Sequence, residues 1–138
     1  MSYHEPSSTE YQMSLAHLTL ATRNVQATSE FYRHVFGWSN SPKAENSAID
    51  VEWLDIGEGQ QLHIIGVPDF EISTFEREYG RHIAFFASAA ELPDLKQRLD
   101  ERQIARIEAE RHTPFERFFF KDPDGYMIEV IDQDAWVG

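Results

Sequence analysis

The chain has 138 residues, 41% of them hydrophobic and 26% charged, and a formal net charge of −12. This length suits one domain with one core, and the negative charge makes nucleic acids and anionic membrane surfaces poor partners. There is no cysteine, which excludes disulfides and thiolate chemistry. Together with the lack of a membrane-length apolar run or a hydrophobic signal segment, this composition predicts a cytoplasmic protein.

The first half of the chain predicts a strand, a helix and a hairpin. The elements are, in order, a flexible arm (1–12), a strand (15–22), a helix between Asn24 and Gly37, a loop (39–47) and a hairpin (48–56 and 60–67). Asn24 suits an N-cap, and Gly37 suits a left-handed helix end. Strand alternation places His17 and Thr19 on one face, so this face is polar, as a cavity wall would be.

The second half predicts a similar order of elements after a connector. The elements are the connector (68–80), a strand (82–86), a helix, a short strand near Ile104 and Ile107, a charged loop (108–114) and a final hairpin around Asp124-Gly125. Ser88 and Glu91 have the spacing of a capping box, with Ser88 as the cap. The predicted domain covers 13–133, with modules at about 13–68 and 80–133 and a short tail at 134–138.

The two halves form an internal repeat. A shift of 66 positions places Gly59 on Gly125 and His63 on Glu129, and a shift of 65 places His17 on His82. Such self-similarity at a fixed spacing indicates a duplicated structural unit. Three histidines and one glutamate therefore occupy two pairs of equivalent positions.

These four residues predict a metal site. In a strand, Glu129 shares its face with Met127 and Ile131, and a carboxylate on an apolar face must be paired, bound to a ligand or facing a cavity. Imidazole and carboxylate ligands suit one divalent ion per site, which can be Zn, Ni, Co, Mn or Fe. The alternative is an exposed Glu129 on an edge strand together with unrelated core histidines.

The chain resembles the vicinal-oxygen-chelate superfamily, which groups glyoxalase I, bleomycin- and fosfomycin-resistance proteins and extradiol dioxygenases. The resemblance extends over about 15–132. It is carried by these segments: Ala16–Leu20, Glu30–Tyr32, Val35–Gly37, Gly59–His63, His82–Ala84, Asp122–Tyr126 and Ile128-Glu129.

This resemblance implies a fold, a set of ligands and an assembly. The implied fold is α+β, with two βαβββ modules whose mixed sheet curves around a cavity and whose helices lie outside. The implied metal ligands are His17, His63, His82 and Glu129. Relatives commonly dimerise, so we expect a homodimer. If modules are exchanged between chains, each cavity draws two ligands from each chain.

Several positions depart from the subfamilies. Glyoxalase I has Glu where this chain has His63, and its glutathione-binding Arg and Asn correspond to Ala21 and Val67 here. Fosfomycin-resistance transferases generally lack a ligand at the His63 position, and they have Tyr in place of Phe119. Extradiol dioxygenases use two His and one Glu but are usually twice as long, and bleomycin-binding members usually lack metal ligands.

The leading hypothesis is a metal-dependent lyase or isomerase similar to glyoxalase I, acting on a small oxygen-chelating substrate. The metal would act as a Lewis acid and stabilise an enediolate-like intermediate, with Glu129 as ligand and base. Thr19 would bind the substrate or a water. The candidate pocket walls are Trp53, Phe86 and Phe118. The alternatives are a fosfomycin-resistance-like thiol transferase, a ring-cleaving dioxygenase and a metal-containing small-molecule binding protein.

Overall fold

The computed structural model describes residues 13–42 and 50–138. In chain order, the elements of this part are β1 (His17–Thr22), α1 (Val25–Phe36), β2 (Ser39–Asn40), β3 (Val51–Gly57), β4 (Gln60–Gly66), β5 (Ile83–Ala87), α2 (Leu92–Glu101), β6 (Ile107–Glu108), β7 (Arg117–Lys121) and β8 (Met127–Asp132). The arm expected at 1–12, most of the loop expected at 39–47 and the start of the strand expected at 48–56 lie outside the described residues.

The strands form two mixed sheets of the same design. Their orders are β1-β4-β3-β2 and β5-β8-β7-β6. In the first sheet β1 runs parallel to β4, and in the second sheet β5 runs parallel to β8. The other pairs of these strands are antiparallel. Trp53 lies opposite His63, and Phe119 lies opposite Glu129, so the register repeats with the 66-residue shift seen in the sequence. The α+β fold of two βαβββ modules is therefore confirmed.

Helix α1 begins and ends at the predicted residues. The Asn24 side chain accepts a hydrogen bond from the Ala27 amide at 3.0 Å, which satisfies one free donor of the first turn. Gly37 has φ +75°, and its amide donates to the Arg33 carbonyl at 2.9 Å, which ends the helix. The predicted N-cap and C-cap are thus both present.

Helix α2 begins later than the capping box predicts. The Glu91 amide donates to Ser88 Oγ at 3.2 Å, and the Ser88 amide donates to Glu91 Oε1 at 3.4 Å, so both bonds of the box form. Residues 89–91 nevertheless make a turn, and the helix runs from Leu92, with Pro93 in its first turn. Proline suits that position because the first helical amides have no partner within the helix.

Several strand boundaries also differ from the sequence predictions, most clearly at β2 and β5. Ser39–Asn40 was expected to be loop, but it pairs with Asp55 and Leu54 as the short strand β2. The strand expected to begin at His82 begins at Ile83, which leaves His82 just before β5. A two-residue edge strand has too little alternation to be recognised from sequence.

The turn after β7 joins the two modules. Asp122 Oδ2 accepts from the Tyr32 hydroxyl at 2.6 Å. The two carboxylate oxygens of Asp124 accept from the hydroxyls of Thr22 and Thr28, each at 2.9 Å. Asp124 thus lies beside the N-terminal part of α1, where negative charge interacts favourably with the helix dipole. Helix α1 is therefore bonded to the hairpin of the second module.

The two sheets remain separate. In the described part of the chain no ladder joins one sheet to the other, and β1 and β5 each lie at the end of a sheet. Within the described residues, the cavity expected from the resemblance is therefore not enclosed by one continuous sheet. Among residues 13–42 and 50–138, no helix is long and apolar enough to cross a membrane.

Candidate metal site in two halves

His17 and His63 lie together on the first sheet, and we call this pair of candidate metal ligands the first half-site. Their rings stack with centroids 3.9 Å apart and an interplanar angle of 14°. His17 lies at the start of β1, and His63 lies in the middle of the adjacent strand β4. His17 is exposed and His63 is half-buried, so this pair lies on an accessible face of the first sheet.

The surroundings of His63 favour its neutral imidazole. Trp53 stacks on the ring of His63 at 4.4 Å, and His63 Nε2 lies 2.8 Å from Gln61 Oε1. Partial burial and the neighbouring His17 lower the pKa of His63 below its ordinary value. Thr19 pairs with His63 in the ladder and is exposed. A neutral imidazole is the form that binds metals.

His82 and Glu129 lie together at the second sheet, and we call this pair of candidate metal ligands the second half-site. His82 Nε2 lies 3.1 Å from Glu129 Oε1. Strand β8 carries Glu129 into the interior, where the residue is 5% exposed, and His82 directly precedes β5. A buried carboxylate is costly unless it is paired, and both oxygens of Glu129 have partners.

The geometry of the second half-site fits a cation. His82 Nδ1 lies 3.3 Å from the Arg77 carbonyl, which can only accept, so this contact places a proton on Nδ1. In the neutral ring, Nε2 then presents a lone pair to Glu129 Oε1, which is another acceptor. Two acceptor atoms that face each other repel, so either a second proton on the ring or a cation between Nε2 and Oε1 is needed to make this contact favourable.

The distance between the two atoms is compatible with a shared ion. His82 Nε2 and Glu129 Oε1 are 3.1 Å apart, which is the length of an ordinary hydrogen bond and also roughly the separation of nitrogen and oxygen ligands that lie about 2.0–2.2 Å from one ion. A backbone carbonyl that orients the second ring nitrogen, as the Arg77 carbonyl does here, is typical of metal-binding histidines.

The other oxygen of Glu129 is bonded to Arg117. Arg117 Nη1 donates to Glu129 Oε2 at 2.9 Å, and Nη2 donates to Glu78 Oε2 at 2.8 Å. The side chains of Arg117, Glu129 and Glu78 are 4%, 7% and 10% exposed, so this is a buried chain of ion pairs. Burial raises the pKa of Glu78, but hydrogen bonds from Arg117 and two backbone amides outweigh it, and the pKa falls to about 2.

One chain does not bring the four predicted ligands together. Among the described residues, no three His, Asp or Glu side chains are placed to hold one ion. The structure instead presents two pairs, His17 with His63 on one sheet and His82 with Glu129 on the other. Each pair supplies two possible ligands, whereas protein metal sites of this chemistry usually have three or four.

Two of the three predicted pocket residues lie on the faces of the half-sites. Trp53 lies against the ring of His63. Phe86 is 49% exposed and pairs with Ile131 in the parallel ladder. Ile131 is two residues from Glu129, so Phe86 and Glu129 share one face of the second sheet.

Phe118, the third predicted pocket residue, does not lie on the face of either half-site. It pairs with Val130, and both residues are buried in the core. Because side chains alternate along β7, Arg117 and Phe119 share the face of Glu129, and Phe118 is directed to the opposite face. The expectation that Phe118 forms a wall of the same pocket is therefore corrected.

Sequence reasoning missed Arg117 and Glu78. Arg117 had a usable signal, because it lies two residues before Phe119, which pairs with Glu129. Alternation alone therefore places the guanidinium on the carboxylate's face. Glu78 had no such signal, since it lies in the connector before β5, outside any regular element.

The family of the chain follows from comparison with known proteins. The model of the Glyoxalase/Bleomycin resistance protein/Dioxygenase superfamily matches residues 14–130. That match covers nearly the whole chain and both half-sites. The chain belongs to this superfamily.

Individual relatives point to enzymes of two kinds. The chain is 28% identical over 128 residues to glyoxylase I 4 of Arabidopsis thaliana, covering 88% of this chain and 72% of that protein. It is also 28% identical over 117 residues to the metallothiol transferase FosB of Shouchella clausii, covering 83% of this chain and 76% of that protein.

Solved structures share the fold. A mutant of the fosfomycin resistance protein FosX from Listeria monocytogenes, complexed with Mn(II) and 1S,2S-dihydroxypropylphosphonic acid, superposes with a TM-score of 0.73. It is 19% identical, and the match covers 88% of this chain and 93% of that one. The named relatives are enzymes, and one solved neighbour holds a divalent metal.

Proposed function

We propose that the chain is a metal-dependent enzyme similar to glyoxalase I, a lyase or isomerase that acts on a small substrate with two adjacent oxygens. The observation that carries this proposal is the approach of His82 Nε2 to Glu129 Oε1, with the second ring nitrogen of His82 already bonded to a carbonyl. The proposed ligands are His17, His63, His82 and Glu129. A bound divalent ion, which can be Zn, Ni, Co, Mn or Fe, supplies Lewis-acid chemistry.

The residues of the chain have distinct proposed roles. Glu129 is a ligand through Oε1, the oxygen that faces His82, and it takes up a proton there only when this oxygen leaves the ion during turnover. Thr19, exposed beside His63, holds the substrate or a water by a hydrogen bond. Trp53 and Phe86 orient the apolar part of the substrate and exclude water, since Trp53 lies on His63 and Phe86 is half-exposed on the face of Glu129.

We further propose that two chains complete each site. The support is that the described part of one chain holds two separate pairs of possible ligands and no cluster of three. In a homodimer with exchanged modules, His17 and His63 of one protomer meet the second half-site of its partner. Each dimer then has two sites, and an isolated chain has none. A cytoplasmic location, which the composition predicts, also stays a prediction.

The second candidate is a thiol transferase related to the fosfomycin-resistance proteins. It is favoured by the similarity to FosB, whose identity to this chain equals that of the plant glyoxylase. Turnover assays on the metal-loaded dimer separate the candidates. Methylglyoxal–thiol adducts are the substrates that test the first, and fosfomycin with a free thiol tests the second.

Each outcome of these assays favours one candidate. Conversion of the adducts alone supports the lyase or isomerase, and conversion of fosfomycin alone replaces it with the transferase. Loss of turnover in the His17→Ala and His82→Ala variants must accompany either result. Metal binding and small-molecule binding without any turnover would favour a binding protein.

A further inference from the structure

The second half-site is held by an arginine that bonds two carboxylates. Arg117 Nη1 donates to Glu129 Oε2 at 2.9 Å, and Nη2 donates both to Glu78 Oε2 at 2.8 Å and to the Arg111 carbonyl at 2.6 Å. The Arg117 side chain is only 4% exposed. Three acceptors from β8, the connector and the loop before β7 therefore fix one guanidinium.

This arrangement makes the two oxygens of Glu129 unequal. Oε2 is occupied by Arg117, while Oε1 lies 3.1 Å from His82 Nε2. A carboxylate without such a partner can rotate and bind an ion through both oxygens. With Arg117 in place, Oε2 is directed to the guanidinium and Oε1 to His82, so Oε1 is the oxygen positioned to bind an ion at the half-site.

Glu78 balances the charge of this arginine. A guanidinium beside a cation site repels a dication, and the repulsion is strong where water is excluded. Glu129 and Arg117 alone sum to zero charge, and Glu78 brings the buried chain of three groups to −1. Glu78 also accepts from the amides of Glu110 and Arg111, at 2.7 and 3.1 Å, so its position is fixed from three sides.

We propose that Arg117 is a positioning residue, supported by Glu78, which holds Glu129 so that it binds the metal through Oε1 alone. This inference rests on the proposed metal function. Partners of this kind orient the atoms that bind an ion without touching it, and their loss typically lowers metal affinity by about 10–100-fold.

The test uses Co(II) as a probe in the full-length protein. Affinity is measured by titration, and the visible absorption of bound Co(II) reports its coordination number and geometry. The variants are Arg117→Gln and Glu78→Gln. The matched controls are Arg106→Gln, which breaks an exposed pair with Asp100, and Glu116→Gln, which breaks an exposed pair with Lys96.

The proposal makes a different prediction for each variant. Arg117→Gln lowers Co(II) affinity by about 10–100-fold, and its spectrum at saturation shifts to a higher coordination number because Oε2 is released. Glu78→Gln lowers affinity but keeps the wild-type spectrum, since Arg117 still holds Oε2. The two controls bind Co(II) like the wild type.

Three results would overturn the proposal. A wild-type spectrum and affinity in Arg117→Gln removes the positioning role while the metal function stands. A wild-type protein that takes up no Co(II) removes the proposed function and this inference together. If circular dichroism shows that Arg117→Gln is unfolded, Arg117→Lys replaces it, because one ammonium cannot reproduce the two-pronged donor. A wild-type affinity together with a wild-type spectrum in Arg117→Lys then rejects the positioning role.

Discussion

The Tyr32 hydroxyl donates to Asp122 Oδ2 across the boundary between the two modules, at 2.6 Å, and both side chains are buried. Asp122 Oδ1 also accepts from the amides of Asp124 and Tyr126, each at 2.9 Å. Burial raises the pKa of Asp122 to about 6, although these hydrogen bonds act in the opposite direction. Burial likewise raises the pKa of Tyr32 well above its usual value, so Tyr32 remains a donor.

The raised pKa of Asp122 implies that mild acid stabilises the fold. Because its pKa is about 6 in the folded chain and ordinarily 3.8, the folded state binds more protons between these values. The contribution of Asp122 to stability is fully present below pH 3.8 and is lost as pH rises through 6, by on the order of 1–3 kcal/mol. Urea unfolding of wild type and Asp122→Asn at pH 7 and pH 5 measures the change in the free energy of unfolding.

The comparison has a matched control in the same turn. Asp124→Asn changes a neighbouring carboxylate that accepts from Thr22 and Thr28, and this variant should keep most of the pH effect. Asp122→Asn should lose it. Equal pH dependence in wild type and Asp122→Asn would show that Asp122 does not titrate in this range.

The lowered pKa of Glu78 implies the opposite effect at lower pH, which is that acid destabilises the fold. Its pKa falls to about 2 from the ordinary 4.5, so the unfolded chain binds the proton first. The stability that Glu78 contributes is present above pH 4.5 and is lost as pH falls towards 2. Thermal unfolding between pH 5 and pH 2.5 should show a shallower decline in Glu78→Gln than in wild type. Glu116→Gln, which removes an exposed partner of Lys96, should decline like the wild type.

His82 predicts the metal content. The protein purified in the presence of a divalent metal should carry close to one ion per chain, and His82→Ala should lose most of it, because one of the four proposed ligands is gone. Elemental analysis after dialysis measures this. His112→Ala, which removes an exposed histidine of the same module, is the control. Full metal content in His82→Ala contradicts the site.

The shared site predicts complementation between two inactive variants. In a heterodimer of His17→Ala and Glu129→Gln chains, one site contains both changes and the other contains neither. Denaturing and refolding an equal mixture should therefore restore metal binding and activity in the mixed dimers, while each variant alone remains deficient. Light scattering gives the control, since a mass near the 16.0 kDa of one chain at micromolar concentration excludes the dimer.

Glu129 predicts a separation between metal binding and turnover. Glu129→Gln keeps the size of the side chain and one oxygen, but it removes the charge and the basicity. The variant should fold, bind metal more weakly and, at saturating metal, turn over about 100-fold or more slowly, as expected for loss of a general base. Steady-state kinetics with the substrate identified by the turnover assays measure this. Wild-type turnover would leave Glu129 as a ligand only.

Much of the fold was predictable because local signals agree with the tertiary structure. The cap residues Asn24 and Gly37 mark both ends of α1. The 66-residue repeat anticipated that His63 and Glu129 hold the same position in two equivalent sheets. The spacing of residues and the internal repeat are properties of the amino-acid sequence, so both can be recognised without a structure.

The arrangement of the half-sites was not predictable in the same way. The contacts of α1 with the second module involve residues about 90–100 positions away in the chain, such as Asp122 and Asp124, and such long-range contacts have no local sequence signal. Alternation along β7 could have identified Arg117 as a neighbour of Glu129. It could not have identified Glu78, because the connector has no regular period.

The connector also limits where the chain can change in length. Glu76 and Glu78 contribute two carboxylates to the second module, one accepting from the Met127 amide at 2.8 Å and one holding Arg117. An insertion between them would displace the support of Glu129. Pro68-Asp69 is exposed and lies before these contacts, so extra residues are tolerated best at that turn. The connector from Glu76 onward is thus structurally a part of the second module.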